Sequence, residues 1–195
     1  MIFKFNNFLQ FLLLFFIFII YSCQPVEISD KIVFNNNLLS KISINANQKI
    51  VNQLYEIKYV EPFIDHSLKN NPLLRINNWI DQNINIFGTQ NILEINIIDA
   101  SITRIEKESE NNKKFTEKTH YYYEINYYIK YILYNDDGLI LATTEVKSNR
   151  STTSDKYISI NEKERIIDTL ILDSLIDLTS KSEETLLEHM YNYML

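Results

Sequence analysis

Apolar and polar positions alternate most cleanly in one stretch: Tyr121, Tyr123, Ile125, Tyr127, Ile129, Tyr131 and Leu133 hold one parity against Tyr122, Glu124, Asn126, Tyr128, Lys130, Ile132 and Tyr134. A period of two predicts a long strand with a defined inner face. Asp137-Gly138 follows and supplies the two positive-φ positions of a type I′ hairpin. That turn sets Leu133 opposite Ala142, Tyr131 opposite Thr144 and Ile129 opposite Val146, so large side chains meet small or β-branched ones. Upstream, Leu93, Ile95 and Ile97 share one parity and Ile98, Ala100 and Ile102 the other, which predicts a strand over 92–105 with a β-bulge near Ile98 or Asp99. The charged segment from Glu106 to Lys118, interrupted by Phe115, reads as a surface loop. Ile42, Ile44 and Ala46 alternate with Ser43 and Asn45, placing at least one further strand between Ser40 and Val60.

Two segments carry the helical period instead. Asn71-Pro72 is a helix start, with asparagine as N-cap and proline where its missing N–H costs nothing. Leu73, Ile76, Ile80, Ile84 and Phe87 then form one stripe with Trp79, and Gly88 suits a left-handed residue that ends a helix, so the prediction is a helix over 72–87. Trp79 belongs to the core on this reading. Ser159-Ile160-Asn161-Glu162 has the spacing of a capping box and opens the last element, 160–194. Its apolar side runs through Ile166, Ile167, Leu170, Ile171, Leu175 and Leu178, and resumes at Leu186, Leu187, Met190 and Met194. The polar Thr179-Ser180-Lys181-Ser182 between them fits either one helix with a weak spot or two successive helices. Together these elements predict an α+β fold: an antiparallel sheet of about four strands, two helices packed on one face, order β-α-β-β-β-α.

With 195 residues the chain holds one domain of ordinary size. Its formal charge of −6 becomes −7 once residues 1–22 are set aside, because they carry one base, Lys4, and no acid. A net anion without a dense basic run disfavours nucleic acid as a partner.

The N-terminus changes the picture most. The apolar run from Phe8 to Tyr21 is interrupted only by Gln10. It has the length of a signal-peptide apolar region and is shorter than the roughly 20 residues a spanning helix needs. Ile20-Tyr21-Ser22-Cys23 follows and resembles the bacterial lipobox: an aliphatic residue at −3, a small one at −1 and the cysteine that receives the lipid. Tyr21 departs from the small residue usual at −2. The chain has one cysteine and it falls here, so no internal disulfide is possible and Cys23 is the expected lipidation site. Each buried methylene contributes roughly 0.8 kcal/mol, and two or three acyl chains, palmitate among them, hold a protein on a bilayer. The expected organisation is a signal peptide over 1–22, a lipidated tether over 23–38 and an α+β domain over 39–195. A tether of about fifteen residues spans roughly 20 Å. Gln24 is not the aspartate that retains lipoproteins at the inner membrane of enteric bacteria, which favours an outer-membrane destination facing the periplasm.

Reactive chemistry has no sequence candidate. Gly88 and Gly138 are the two glycines, too far apart for a phosphate-binding loop or a nucleophile elbow. His66, His120 and His189 stand alone without metal-ligand spacing, so no metal and no cofactor are expected. The acid pairs Glu106 and Glu108, and Glu183 and Glu184, lie in charged surface stretches. The tyrosine run can be pictured as a stacking platform for bases or sugars, but its strict alternation favours sheet packing.

Several motifs in order resemble a group of small alphaproteobacterial lipoproteins: Pro72 and Trp79 at the helix start, Asp99-Ala100-Ser101, Phe115-Thr116-Glu117, Arg150-Ser151-Thr152, and Ser159-Ile160-Asn161-Glu162-Lys163-Glu164. The element order is also similar to the LPS-assembly lipoprotein fold. That group of small lipoproteins has no assigned function; a lipid anchor, one compact domain and no reactive cluster lead instead to the expectation of a non-enzymatic accessory or binding subunit of the cell envelope, engaging a protein or lipid partner there. A small envelope hydrolase and a self-assembling structural lipoprotein are the competing classes.

Overall fold

The computed structural model describes residues 36–108 and 119–195; the expected signal peptide, Cys23, most of the tether and Phe115 lie outside them. The fold is α+β. Strands β1 (Ile42–Ile44) and β2 (Gln48–Gln53) precede helix α1 (Pro72–Asn83). Then come β3 (Ile84–Ile86), β4 (Ile92–Glu108), β5 (Thr119–Tyr134), β6 (Ile140–Asp155) and helix α2 (Ile160–His189). A four-stranded sheet runs β2-β4-β5-β6, and β1 and β3 form a second, two-stranded sheet.

The pairs β4–β5 and β5–β6 are antiparallel, whereas β2 lies parallel to β4, because α1 intervenes and carries the chain back to start β4 in the same direction. β4 switches parity between Ile97 and Asp99, which lets Leu93, Ile95, Ile97, Ala100 and Ile102 all turn inward. The strand also extends to Glu108, past the predicted loop boundary at Glu106.

The hairpin keeps the predicted register, with Leu133 opposite Ala142, Tyr131 opposite Thr144 and Ile129 opposite Val146. Its turn differs. Only Gly138 has positive φ, +80°, and Asn135 N–H donates to Leu139 O at 2.9 Å, closing a three-residue loop. The Asn135 side chain accepts from the N–H groups of Asp137 and Leu139 and holds that shape. A register shift beyond Tyr134, with Leu141 as the extra residue, then restores the pairing a two-residue turn would have given.

Helix α1 starts as predicted, the Asn71 side chain accepting from Leu74 N–H at 2.9 Å, but it stops at Asn83 and not at Phe87. Ile84, Asn85 and Ile86 instead pair in parallel with Ile42, Ser43 and Ile44, a better use of β-branched residues than a last helical turn. Gly88 is therefore no left-handed cap; a Cβ there would collide with Asn45 and Ala46, so the glycine permits close approach.

Helix α2 is continuous to His189, after which Tyr191–Tyr193 form a 3₁₀ turn and Met194 bridges to Ile44. The polar interruption is a seam of small residues pressed on the sheet: Thr179 and Ser182 are buried, and Tyr131 Oη donates to Ser182 Oγ at 3.0 Å. Both helices cover the same sheet face. Ile76, Trp79 and Ile80 of α1 and Ile167, Ile171, Leu175 and Leu178 of α2 join the inward side chains of β4 and β5 in one core. Trp79 is buried there, its indole N–H donating to Ser40 O at 2.9 Å.

Candidate functional site

The hydrogen-bond phase of the sheet can be traced strand by strand. In a strand the N–H and C=O of alternate residues point to opposite edges. Asn135 bonds to Leu139 across the hairpin, so the odd-numbered residues of β5 direct their backbone groups at β6. Their partners are the even-numbered residues Ala142 to Ser154. The opposite side gives the same phase: Arg104 N–H donates to Pro62 O and Ile102 O accepts from Ile64 N–H, so these even residues of β4 face away from β5. It follows that Thr143, Glu145, Lys147, Asn149, Ser151 and Thr153 point their backbone groups off the free edge of β6. Among the described residues none of these groups makes a hydrogen bond.

Alongside the last third of that edge lies a groove. Its two adjoining recesses, about 410 and 330 Å³, share Ile166. One is lined by Thr119, His120, Ser154, Asp155 and Glu162, the other by Arg150, Thr152, Arg165, Thr169, Leu170 and Asp173. The floor is β6 and the wall is the first half of α2. The groove exists because the inward positions of β6 change character: Val146 packs into the core, whereas Arg150, Thr152 and Ser154 give α2 no apolar surface to close on. Ser148 marks the boundary, donating to Asp177 Oδ2 at 2.8 Å and reaching Ser174 O at 3.3 Å.

Two ion pairs near the groove lie within α2, Arg165 with Glu162 and Lys181 with Asp177. Arg165 donates to both carboxylate oxygens of Glu162, at 3.0 and 2.5 Å, which holds the Glu162 carboxyl below its ordinary range and raises Arg165. Burial alone would raise the Asp177 carboxyl, but hydrogen bonds from Lys181 and Ser148 outweigh it and the net direction is down. At the far end Lys156 pairs with Glu106 at 2.7 Å. Both partners are solvated, so these pairs set side-chain positions and add little stability.

The sequence candidates disperse. His66 Nδ1 lies 3.0 Å from Lys58 O in a loop, and His189 stands 3.8 Å from Glu188. His120 faces Asp155 across the ladder at the groove's end, but among the described residues no hydrogen bond joins its ring to a hydroxyl, and Ser154 Oγ donates to its neighbour's carbonyl, Asp155 O. Among the described residues no cluster of three metal-ligating side chains forms, and no helix is long and apolar enough to cross a membrane. The tyrosines divide by parity. Tyr123, Tyr127 and Tyr131 are core, while Tyr122 and Tyr128 on the open face carry Lys107 and Lys147 at 3.4 and 4.2 Å from their ring centroids. Sequence reasoning missed the groove, although one signal was available: apolar alternation in β6 ceases after Val146 and polar residues fill both faces.

No protein-family model matches the chain, and no curated protein matches it in sequence. Among solved structures it is similar to a minor lipoprotein from Acinetobacter baumannii (6% identity, 72% of this chain and 90% of that one, TM-score 0.38). Rare lipoprotein B from Shewanella oneidensis matches at 14% identity over 69% and 89% of the two chains, TM-score 0.35. A neuraminyllactose-binding hemagglutinin homolog from Helicobacter pylori matches at 9% identity over 86% and 98%, TM-score 0.39. At TM-scores this low the likenesses carry no argument about what this chain does.

Proposed function

We propose that the protein is a lipid-anchored lipoprotein of the bacterial envelope that acts as a non-enzymatic accessory subunit, holding a partner protein in the groove between β6 and α2. Residues 1–22 are removed, Cys23 carries the lipid, residues 23–38 tether, and residues 39–195 form the binding domain facing the periplasm, with the outer membrane as destination. The observation that carries the binding role is the groove itself, which runs beside backbone groups that are free to bond. The anchor rests on Ile20-Tyr21-Ser22-Cys23.

Two measurements on the full-length protein in cells test the reading. Cys23→Ser moves the protein from the membrane to the soluble periplasmic fraction if lipid is the tether; retention on the membrane overturns the anchor. A photo-crosslinking residue at Thr169, on the groove wall, yields one discrete adduct with another envelope protein, whereas the same residue at Tyr122 on the open sheet face does not. Equal labelling from both positions overturns the groove as the binding site.

A further inference from the structure

Resting on that reading, we infer that the groove receives an extended segment of the partner as an added β-strand, hydrogen-bonded to the edge of β6, and that a second copy of this chain cannot take its place.

The edge is long, sixteen residues, and contains neither proline nor glycine. Its outward N–H and C=O groups, at Thr143, Glu145, Lys147, Asn149, Ser151 and Thr153, repeat at every second residue, the pattern an incoming strand needs. Sheet edges are ordinarily protected, and on the other side of the sheet β4 is covered along its length, first by the short strand β2, which forms that edge, and then by a loop. Leu54 and Tyr55 N–H donate to Ile97 O, and the chain around Pro62 and Ile64 then bonds along β4 as far as Arg104. Of the two edge strands, β2 with six residues and β6 with sixteen, β6 is the longer and has the groove beside it.

The occupant follows from what α2 permits. This helix runs beneath β6, with Ser148 bonded to Ser174 and Asp177, and it reaches β5 only through contacts such as Tyr131 with Ser182. Neighbouring strands lie about 4.8 Å apart and a helix with its side chains is about 10 Å across. If β6 of a second copy joined the edge, its own α2 would have to occupy the space of the first. An isolated strand brings no helix and fits. Its side chains on the helix side would face Ile166 and Leu170 set among Arg165, Thr169 and Asp173, so the partner segment mixes small aliphatic residues with polar ones.

The test uses the full-length protein in detergent micelles and a capped synthetic peptide of alternating valine and threonine, followed by amide hydrogen exchange. With peptide at about ten times its dissociation constant, exchange at Asn149, Ser151 and Thr153 slows about tenfold, while the amides of Arg150 and Thr152, already paired with β5, do not change. The same peptide N-methylated at alternate residues produces no slowing, and Ser151→Pro, which removes only an outward N–H, abolishes the effect. Unchanged exchange with the unmethylated peptide overturns strand addition; if the Thr169 adduct still forms in cells, the accessory-subunit reading survives without it. Slowed exchange in the absence of peptide, together with a dimer by light scattering, assigns the edge to a second copy and overturns the choice of occupant.

Discussion

β4 and β6 are both long strands with one side turned away from β5, and the protein treats those two sides in opposite ways. The outward groups of β4 are taken first by β2, then by the loop that crosses Pro62 and Ile64. That loop is fastened from inside: Asp65 is fully buried, its carboxylate accepts from Tyr55 Oη and, at 3.4 Å, from Ile102 N–H. Among the described residues the outward groups of β6 have no such cover. Covering β4 takes a paired strand and a long connection ordered against its entropy, and among the described residues β6 has no counterpart.

Proline substitution breaks the comparison most sharply, because the outcome depends on which edge each N–H faces. Thr152→Pro removes a ladder bond to β5 and destabilises by on the order of 3 kcal/mol in urea unfolding, whereas Ser151→Pro, one residue away, costs under about 1 kcal/mol. Equal losses would mean the phase assigned to β6 is wrong. On the sealed edge Asp65→Ala leaves the Tyr55 hydroxyl and the Ile102 N–H without their buried acceptor; a loss of about 3 kcal/mol is expected, with proteolysis appearing first between residues 54 and 68.

Between the edges, β5 supplies a reference common to both. Burial raises the phenol pKa of Tyr127 and Tyr131 well above the ordinary value, with Arg75 opposing at Tyr127 and the Ser182 bond opposing at Tyr131. Above about pH 10 the unfolded chain gives up these protons while the folded chain keeps them. Stability therefore falls as pH rises through that range, by up to about 1.4 kcal/mol per pH unit for each tyrosine, and is unaffected by these groups at lower pH. Urea midpoints measured from pH 8 to 11 check the sign. A smaller difference separates the two residues: Tyr131→Phe leaves Ser182 buried without its partner and costs about 1 kcal/mol, whereas Tyr127→Phe removes a hydroxyl with no hydrogen bond among the described residues and is close to neutral.

What was legible in the sequence follows the range of the interactions involved. The alternation of β5, the parity switch in β4, the N-caps at Asn71 and Ser159 and the hairpin register are decided within a few residues, and all appear where the pattern places them. The end of α1 was not legible, because Ile84 and Ile86 satisfy a helical stripe and a strand equally well and the choice is made by Ile42 and Ile44, far away in the chain. The turn at Gly138 was misassigned although its register was right, since the bulge at Leu141 compensates for the longer loop. The groove was hidden for a stronger reason. Being an edge is a property of topology, and β6 becomes one only because β2 adds to β4 on the opposite side.

The account turns on the outer side of β4 being covered and that of β6 open, and residue-resolved amide hydrogen exchange on the ligand-free full-length protein measures this directly. Exchange within β6 should alternate, fast at Glu145, Lys147, Asn149 and Ser151 and slow at Val146 and Ser148, while Ile64, Ile102 and Arg104 on the sealed side are all protected. Uniform protection along β6, or fast exchange at Ile64 and Arg104, would contradict it.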